Sequence, residues 1–585
     1  MITKYFIVFI FLSPLSLKAQ FEDHNWILGY LSGFGPHTMQ FDFNENELRI
    51  TNYHSNYKVD HGNAIISTPD GKNILAMSNG YTIYNRNLDT MVNGGRINLK
   101  TAFYSIYGSS LPQSVLILNL PNAPQLYKVL YFWEDQPRRD SFIQVNRLLQ
   151  ATINIELENG LGRVIESDVL VDDDAFEFGK LQACRHANGR DWWIVIPRRY
   201  SKQILVYLLE PQGIRKSHEV ELPIPIKTGI GQAQFSPDGT KYGISQSQDN
   251  FRQGDYLELF DFDRCAGLIS NMKSIHIPDT LGSGGLAFSP DSRKLYFGTS
   301  KRIYQFDLTQ SDVAKSKVLV GSYGGLIDSF FSGAECNTGP MVLAPDHKIY
   351  IATTTGTYWM HTIEYPDSLG AACRFKEGSL HLPSPNTRSV PSYPNFRLGP
   401  IDGSICDSLG IDNIPLARWR YEKNSTNDLT IHFRDLSGFQ PTEWSWDFGD
   451  LNSGVENYSS VQHPSHLFSI NGIYTVCLTA RNSSGSHSLC KNIDIQVTNN
   501  ADQHKTIETL YQLSYYPTHE KIMIQSPQNS DPVYIELINH QAYSLAKFDH
   551  VTLPFEISTV NWKPGIYYVR IYNKNIWFVQ KLLII

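Results

Sequence analysis

Gln113, Gln182 and Gln232 fall at or beside the start of an apolar strand in three separate repeat units of this chain. If such units close into a ring, these side chains circle the mouth of its central channel. Amides there either hydrogen-bond a sugar or peptide ligand, or satisfy main-chain groups and ordered water. Asp172-Asp173-Asp174 is the densest acidic run. Its oxygens suit calcium, and a solvated turn produces the same pattern. His24, His37, His61, His186 and His218 are scattered without ligand spacing, while His463 and His466 stand three apart. A packed or hydrogen-bonded imidazole is the expectation for each. The sequence holds no Gly-x-Ser-x-Gly elbow, no His-Glu-x-x-His helix and no Gly-rich phosphate loop ending in Lys. It places no two carboxylates together for hydrolysis. The expectation is a protein without catalytic activity, metal or cofactor.

The elements that would position these residues recur around a turn. It reads Thr68-Pro69-Asp70-Gly71, Ser236-Pro237-Asp238-Gly239, Ser289-Pro290-Asp291-Ser292 and Ala344-Pro345-Asp346-His347. Proline presets φ, and Asp or Gly completes the turn. The prolines at 237, 290 and 345 lie 53 and 55 residues apart, the length of a β-propeller blade. Asn63, Gly231, Gly284 or Gly339 stands six residues before the turn proline, each a residue tolerant of unusual backbone angles. Apolar strands follow, such as Leu286-Ala287-Phe288 and, past the turn, Leu295-Tyr296-Phe297. Two degenerate units begin near Gln113 and Gln182. Thr38–Phe41 with Leu48–Ile50 supplies part of a seventh, whose closing strand is expected near Ser392 to Leu398.

Composition agrees with an all-β chain: 32 Tyr, 30 Phe, 41 Gly and 30 Pro against 18% charged residues. A net charge of −7 without a Lys/Arg cluster disfavours nucleic acid. Lys4, the apolar run Tyr5–Leu12 and Leu17-Lys18-Ala19 predict a signal peptide over 1–19. That run is too short to anchor in a bilayer, and no later segment is a transmembrane candidate. Seven cysteines follow, an odd number that leaves at least one unpaired within the chain. Cys477 and Cys490 flank Asn482-Ser483-Ser484-Gly485 symmetrically and are the disulfide candidate across a hairpin.

The turn repeat resembles WD40-like PD40 and TolB-type propeller units, which carry a similar Ser-Pro-Asp-Gly turn. Trp444-Ser445-Trp446-Asp447-Phe448-Gly449-Asp450 with Gly472-Ile473-Tyr474-Thr475-Val476 resembles a PKD domain, which implies an immunoglobulin-like β-sandwich. Leu451 departs from the family's usual Gly. Tyr516-Pro517, the strand Gly565-Ile566-Tyr567-Tyr568-Val569-Arg570-Ile571 and the terminus Lys581–Ile585 resemble the type A C-terminal sorting domain of the type IX secretion system. Thr518 and Gln541 depart from that family's pattern. This resemblance implies recognition by the outer-membrane translocon.

The expected organisation is thus a signal peptide (1–19), a seven-bladed β-propeller (20–402), a linker (403–412), a PKD sandwich (413–498), a second linker (499–506) and a small β-sandwich sorting domain (507–585). The expected function is glycan or protein binding or adhesion. The expected location is secreted or on the outer cell surface of a Gram-negative bacterium, reached through the periplasm. The alternatives are a secreted polysaccharide- or peptide-degrading enzyme with its site on the propeller face, and a component of a surface filament.

Overall fold

Each repeat unit becomes a small antiparallel sheet. The computed structural model describes residues 21–29, 38–53, 57–98, 107–135, 144–248, 254–279, 282–328, 333–386, 388–423, 429–496, 512–516, 520–526, 532–539, 544–573 and 576–584. The signal peptide, the linker 499–506, His37, Pro517, Thr518 and Gln541 lie outside these residues.

Seven successive sheets form the blades. The first runs from Asn25–Gly29 through Thr38–Asp42 to Arg49–Tyr53, and the second from Ala64–Ser67 to Ile83–Asn85. The third spans Val115–Asn119 to Arg163–Asp173, and the fourth Gln182–Arg185 to Gly213–Glu221. The fifth spans Gly229–Ile230 to Leu268–Ile277, the sixth Ser283–Phe288 to Val318–Ser322, and the seventh Thr338–Leu343 to Phe375–Asn386. The two units that look degenerate in sequence are complete four-stranded blades.

Both faces of each sheet are covered, which is why the inner strands read as continuous apolar runs. Ile27 packs with Ile65 and Met77 between the first and second blades. Ile66, Val129 and Trp192 belong to one apolar cluster that joins the second, third and fourth. Val195 meets Tyr242, Leu257 meets Leu286, and Tyr296 meets Ile351 at the following seams. Trp26 and Phe41 pack with Val342 and Tyr350, so the last blade closes on the first.

The Pro-Asp turns are locally self-sufficient. The N–H of Gly71, Gly239, Ser292 or His347 donates to the carbonyl of Thr68, Ser236, Ser289 or Ala344 at 2.7–2.9 Å. All four donors have left-handed φ, between 60° and 74°, so the glycines in the first two turns are used for their freedom. Ser236 and Ser289 each donate to the Asp two residues on, at 2.5 Å. Their hydroxyls then accept the N–H of Lys241 and Lys294 at 2.9 and 2.8 Å. Gly231 serves a different purpose from the one its type suggests. A Cβ there would lie 1.8 Å from the Ser245 carbonyl oxygen, so close backbone approach rather than an unusual angle excludes a side chain.

Ring closure also differs from expectation. Asn25–Gly29 supplies the innermost strand of the first blade. Residues 389–400 instead pass along the centre of the ring and touch several blades. Ser392 N–H donates to Asn63 O at 2.7 Å in the second blade. Tyr393 Oη donates to Leu343 O at 3.0 Å, and Asn395 Nδ2 to Pro237 O at 2.7 Å. Phe396 meets Trp192 edge to face, and Arg397 holds Asp23 through two bonds of 2.6 Å. A Cys265–Cys406 disulfide ties the chain beyond this segment to the fifth blade.

Residues beyond the ring form two sandwiches. In the first, Trp419–Lys423, Thr430–Asp435 and Ser465–Leu467 face a sheet of Glu443–Asp447, Tyr458–Ser459, Gly472–Asn482 and Gly485–Ile495. Trp419, Phe433, Trp446, Phe448 and Phe468 fill its core. Cys477 and Cys490 are directly paired in register and form a disulfide. Gly449 carries φ of 69°, and a Cβ would lie 2.5 Å from Thr475 O. Leu451 opens a short 3-10 turn, Leu451–Asn457, with its side chain exposed. The second sandwich has three strands, Gln512–Tyr516, Lys521–Gln525 and Phe555–Ser558, against four that end with Gly565–Asn573 and Ile576–Ile584. Val533, Ile535 and Leu537 point into its core as alternation predicts. Ile538 is buried as well, after a register shift at Leu537.

Candidate ligand site

The ring has two unlike ends. At one, loop 436–441 of the first sandwich faces the Pro-Asp turns of the fifth and sixth blades across a cavity of about 360 Å³. Polar contacts fasten that sandwich down around this cavity. Arg418 donates to Phe43 O and Arg420 to Asp346 O, both at 2.8 Å. Arg434 pairs with Asp367 at 2.8 Å, and Tyr421 N–H donates to Asn46 at 2.9 Å. The Pro-Asp turns of the fifth, sixth and seventh blades are therefore beneath a docked domain, whereas Pro69 and Asp70 in the second blade are exposed.

The opposite end is a separate mouth of about 350 Å³. Its walls include His61, Ser110, Gln232, Asn337, Thr354 and Arg388. Among the described lining residues there is no Asp, Glu, Trp, Tyr or Phe. Gln232 is 2% exposed. Its Oε1 accepts N–H groups from Leu286 (3.1 Å) and Met341 (2.9 Å), which stitches the fifth blade to the sixth and seventh. With its oxygen so held, the NH2 is the part of the amide left to donate. Ser110 Oγ and Asn337 Oδ1 are buried atoms without a hydrogen-bond partner among the described residues. Arg388 is exposed, with φ of 43°, and its Nε donates to Thr354 O at 3.0 Å. His61 Nδ1 lies 2.6 Å from Asp60.

Gln113 and Gln182 stand outside this lining. Gln113 forms a two-bond amide pair with the main chain of Ala233, at 2.8 and 2.7 Å. Gln182 donates to Gln234 at 3.4 Å. Sequence position identifies all three amides as inner-strand residues but does not distinguish the one that reaches the cavity. Arg388 and Asn337 have no signal in the sequence, because each sits in a connection between strands.

Asp172 and Asp173 lie in the outer strand of the third blade rather than in a loop, with Asp174 just after it. Strand alternation sends Asp173 to the side opposite its neighbours. Asp172 accepts from Tyr207 (2.7 Å) and pairs with Lys216 (3.3 Å), Asp174 pairs with Arg198, and Asp173 faces Arg147 at 3.5 Å. The three carboxylates thus face protein cations rather than one another. In the first sandwich, Asp450 accepts from Ser469 N–H and Oγ and from His466, and Asp447 accepts from Gly449 N–H and Asn457. Burial opposes the charge on Asp450, yet the Ser469 bonds hold its carboxyl below the usual range. His466 stacks on Phe448 at 4.3 Å, and Asp435 N–H donates to His463. His24 stacks on Phe21, His186 accepts from Asn188 N–H, and His218 contacts Gly267 O.

Glu22, beside the Asp23–Arg397 pair, is pushed up to about 8 by burial. Unfolded, it loses its proton near the ordinary 4.5. Stability from this group is present below that value and is lost as pH rises to about 8, because folding takes up a proton throughout the interval. Glu22→Gln is expected to remove a slope of at most about 1.4 kcal/mol per pH unit. Urea unfolding at pH 5, 6.5 and 8 measures it; parallel stability–pH lines for both proteins would refute it.

Residues 415–497 match the PKD domain family. No curated protein sequence matches the chain. Among solved structures, a candidate 6-phosphogluconolactonase from Bacteroides uniformis ATCC 8492 is 13% identical, covering 62% of this chain and 97% of its own, with a TM-score of 0.40. A second candidate 6-phosphogluconolactonase, from Bacteroides fragilis NCTC 9343, is 11% identical over 62% and 96% of the two chains, with a TM-score of 0.38. A functionally unknown protein from Desulfotomaculum acetoxidans DSM 771 is 10% identical over 63% and 99%, with a TM-score of 0.36. No helix among the described residues is long and apolar enough to cross a membrane.

Proposed function

We propose that this chain is an exported, surface-displayed binding protein whose ligand enters the open mouth of the propeller. The observation that carries this reading is the asymmetry of the ring: one end is covered by the docked PKD domain, and the other opens onto buried polar atoms without partners among the described residues. The PKD domain acts as a fixed platform under the ring, and the C-terminal sandwich acts as the type IX sorting domain. Two disulfides support an oxidising destination. Glycan and peptide arrays probed with the mature chain are expected to return a ligand without turnover. Deleting residues 507–585 is expected to retain the protein in the periplasm, read by cell fractionation and surface proteolysis. Normal surface appearance of the truncated chain would remove the sorting assignment.

A hydrolytic reading draws on one observation, the close Asp60–His61 pair at the mouth. It requires turnover of an array ligand that is lost in His61→Gln.

A further inference from the structure

We infer that the open mouth binds a saccharide bearing a carboxylate, of the uronic acid class. This rests on the reading of the mouth as the ligand site. The cavity of about 350 Å³ lies in the range of roughly 300–1,000 Å³ that small-molecule sites occupy. Its chemistry is one-sided. Arg388 is the fixed cation among the described lining residues; Asp60, the carboxylate that acts on it electrostatically, stands outside the lining and is engaged by His61 at 2.6 Å.

Among the described residues the Arg388 guanidinium is held through one of its three nitrogens. Its Nε donates to Thr354 O, and its own N–H donates to Thr353 O at 3.1 Å. Neither Nη has a hydrogen-bond partner among the described residues. A planar guanidinium anchored in this way presents a fork that fits a carboxylate through two parallel bonds. One guanidinium balances one negative charge, so a carboxylate suits it better than a phosphate monoester dianion.

The other polar atoms suit hydroxyl groups. Gln232 has its oxygen occupied by Leu286 and Met341 N–H, which leaves its NH2 to donate. Asn337 Oδ1 is buried and unpartnered among the described residues, so it lacks a donor. Ser110 Oγ is in the same position and serves either role. One charge, a donor and two further oxygens match an acidic sugar ring. The described walls carry no Trp, Tyr or Phe on which a neutral sugar would stack. Selectivity would therefore come from charge and hydrogen bonds.

Calorimetry on the mature chain tests this with trigalacturonate, its methyl ester, a neutral trisaccharide and glucose 6-phosphate as probes. Trigalacturonate is expected to bind at least tenfold more tightly than its methyl ester. Arg388→Met, an exposed change, is expected to remove that preference, and Arg388→Lys to restore part of it. Asn337→Ala is expected to weaken both trigalacturonate and its ester. Equal affinity for acid and ester, or tighter binding of glucose 6-phosphate, would overturn the uronate class while leaving the mouth as the site. Binding indifferent to both the Arg388 and Asn337 variants would overturn the mouth itself, as would failure of every array ligand to bind.

Discussion

Arg397→Ala is expected to destabilise the propeller by about 3–5 kcal/mol, the range for breaking a buried ion pair from one side. Asp23 is 1% exposed at its side chain and receives both guanidinium bonds at 2.6 Å. Burial, then Arg418, push the His24 imidazole well below its usual range, so the remaining cation acting on Asp23 is Arg418, which does not share the two-bond geometry of Arg397. Arg397 also spans three layers. It leads from the axial segment to the first blade through Asp23, and its side chain lies against Gly438 of the PKD loop. Losing it loosens the segment that touches several blades and the platform beneath the ring together. The double variant Asp23→Asn with Arg397→Met discriminates this account. It removes both charges and keeps most of the volume, so it is expected to be more stable than Arg397→Ala. Urea denaturation of the mature chain gives both numbers. A loss below about 1 kcal/mol for Arg397→Ala would mean that the axial segment does not hold the ring.

The axial segment also marks the limit of what the sequence discloses. The Pro-Asp turns are legible because proline, a short hydroxyl and a left-handed residue act within five positions. The Cys477–Cys490 hairpin is legible for the same reason: its turn lies midway between the two cysteines. Pro391-Ser392-Tyr393-Pro394-Asn395-Phe396-Arg397 has no period to read. Its partners, Asn63, Leu343, Pro237, Trp192 and Asp23, come from five different blades, and no local pattern encodes them. The sequence implies a closing strand here, since an open ring leaves two sheet edges to cover. The ring closes instead by packing Trp26 and Phe41 on Tyr350, which frees the later segment for the axis. The ligand site divides in the same way. Gln232 stands immediately before the strand Ala233–Phe235 and is found by its place in the repeat, whereas Arg388 and Asn337 sit in connections that only the closed ring brings together.

The two disulfides are expected to differ in weight. Replacing Cys265 and Cys406 by Ser removes a link across 141 residues, worth up to about 5 kcal/mol by loop-closure entropy. The Cys477–Cys490 bridge closes 13 residues, worth up to about 3 kcal/mol on the same scale. Position widens the gap. Cys477 and Cys490 join strands already paired along their whole length, so the hairpin stays registered without them. Cys406 follows the axial segment out of the ring, where Ile401 N–H donates to Ala187 O at 2.9 Å and Arg264 to Gly399 O. Without the bridge, these bonds, Asn413 on Pro400 O and the docked sandwich hold the exit. Because Arg397 secures the same segment, the two lesions share partners and are expected not to add. Thermal unfolding of the wild type, each Ser pair and the Cys265/Cys406 pair combined with Arg397→Ala measures this. Equal loss from the two Ser pairs would contradict the ranking. Strict additivity with Arg397→Ala would show that the bridge and the ion pair secure different parts of the molecule.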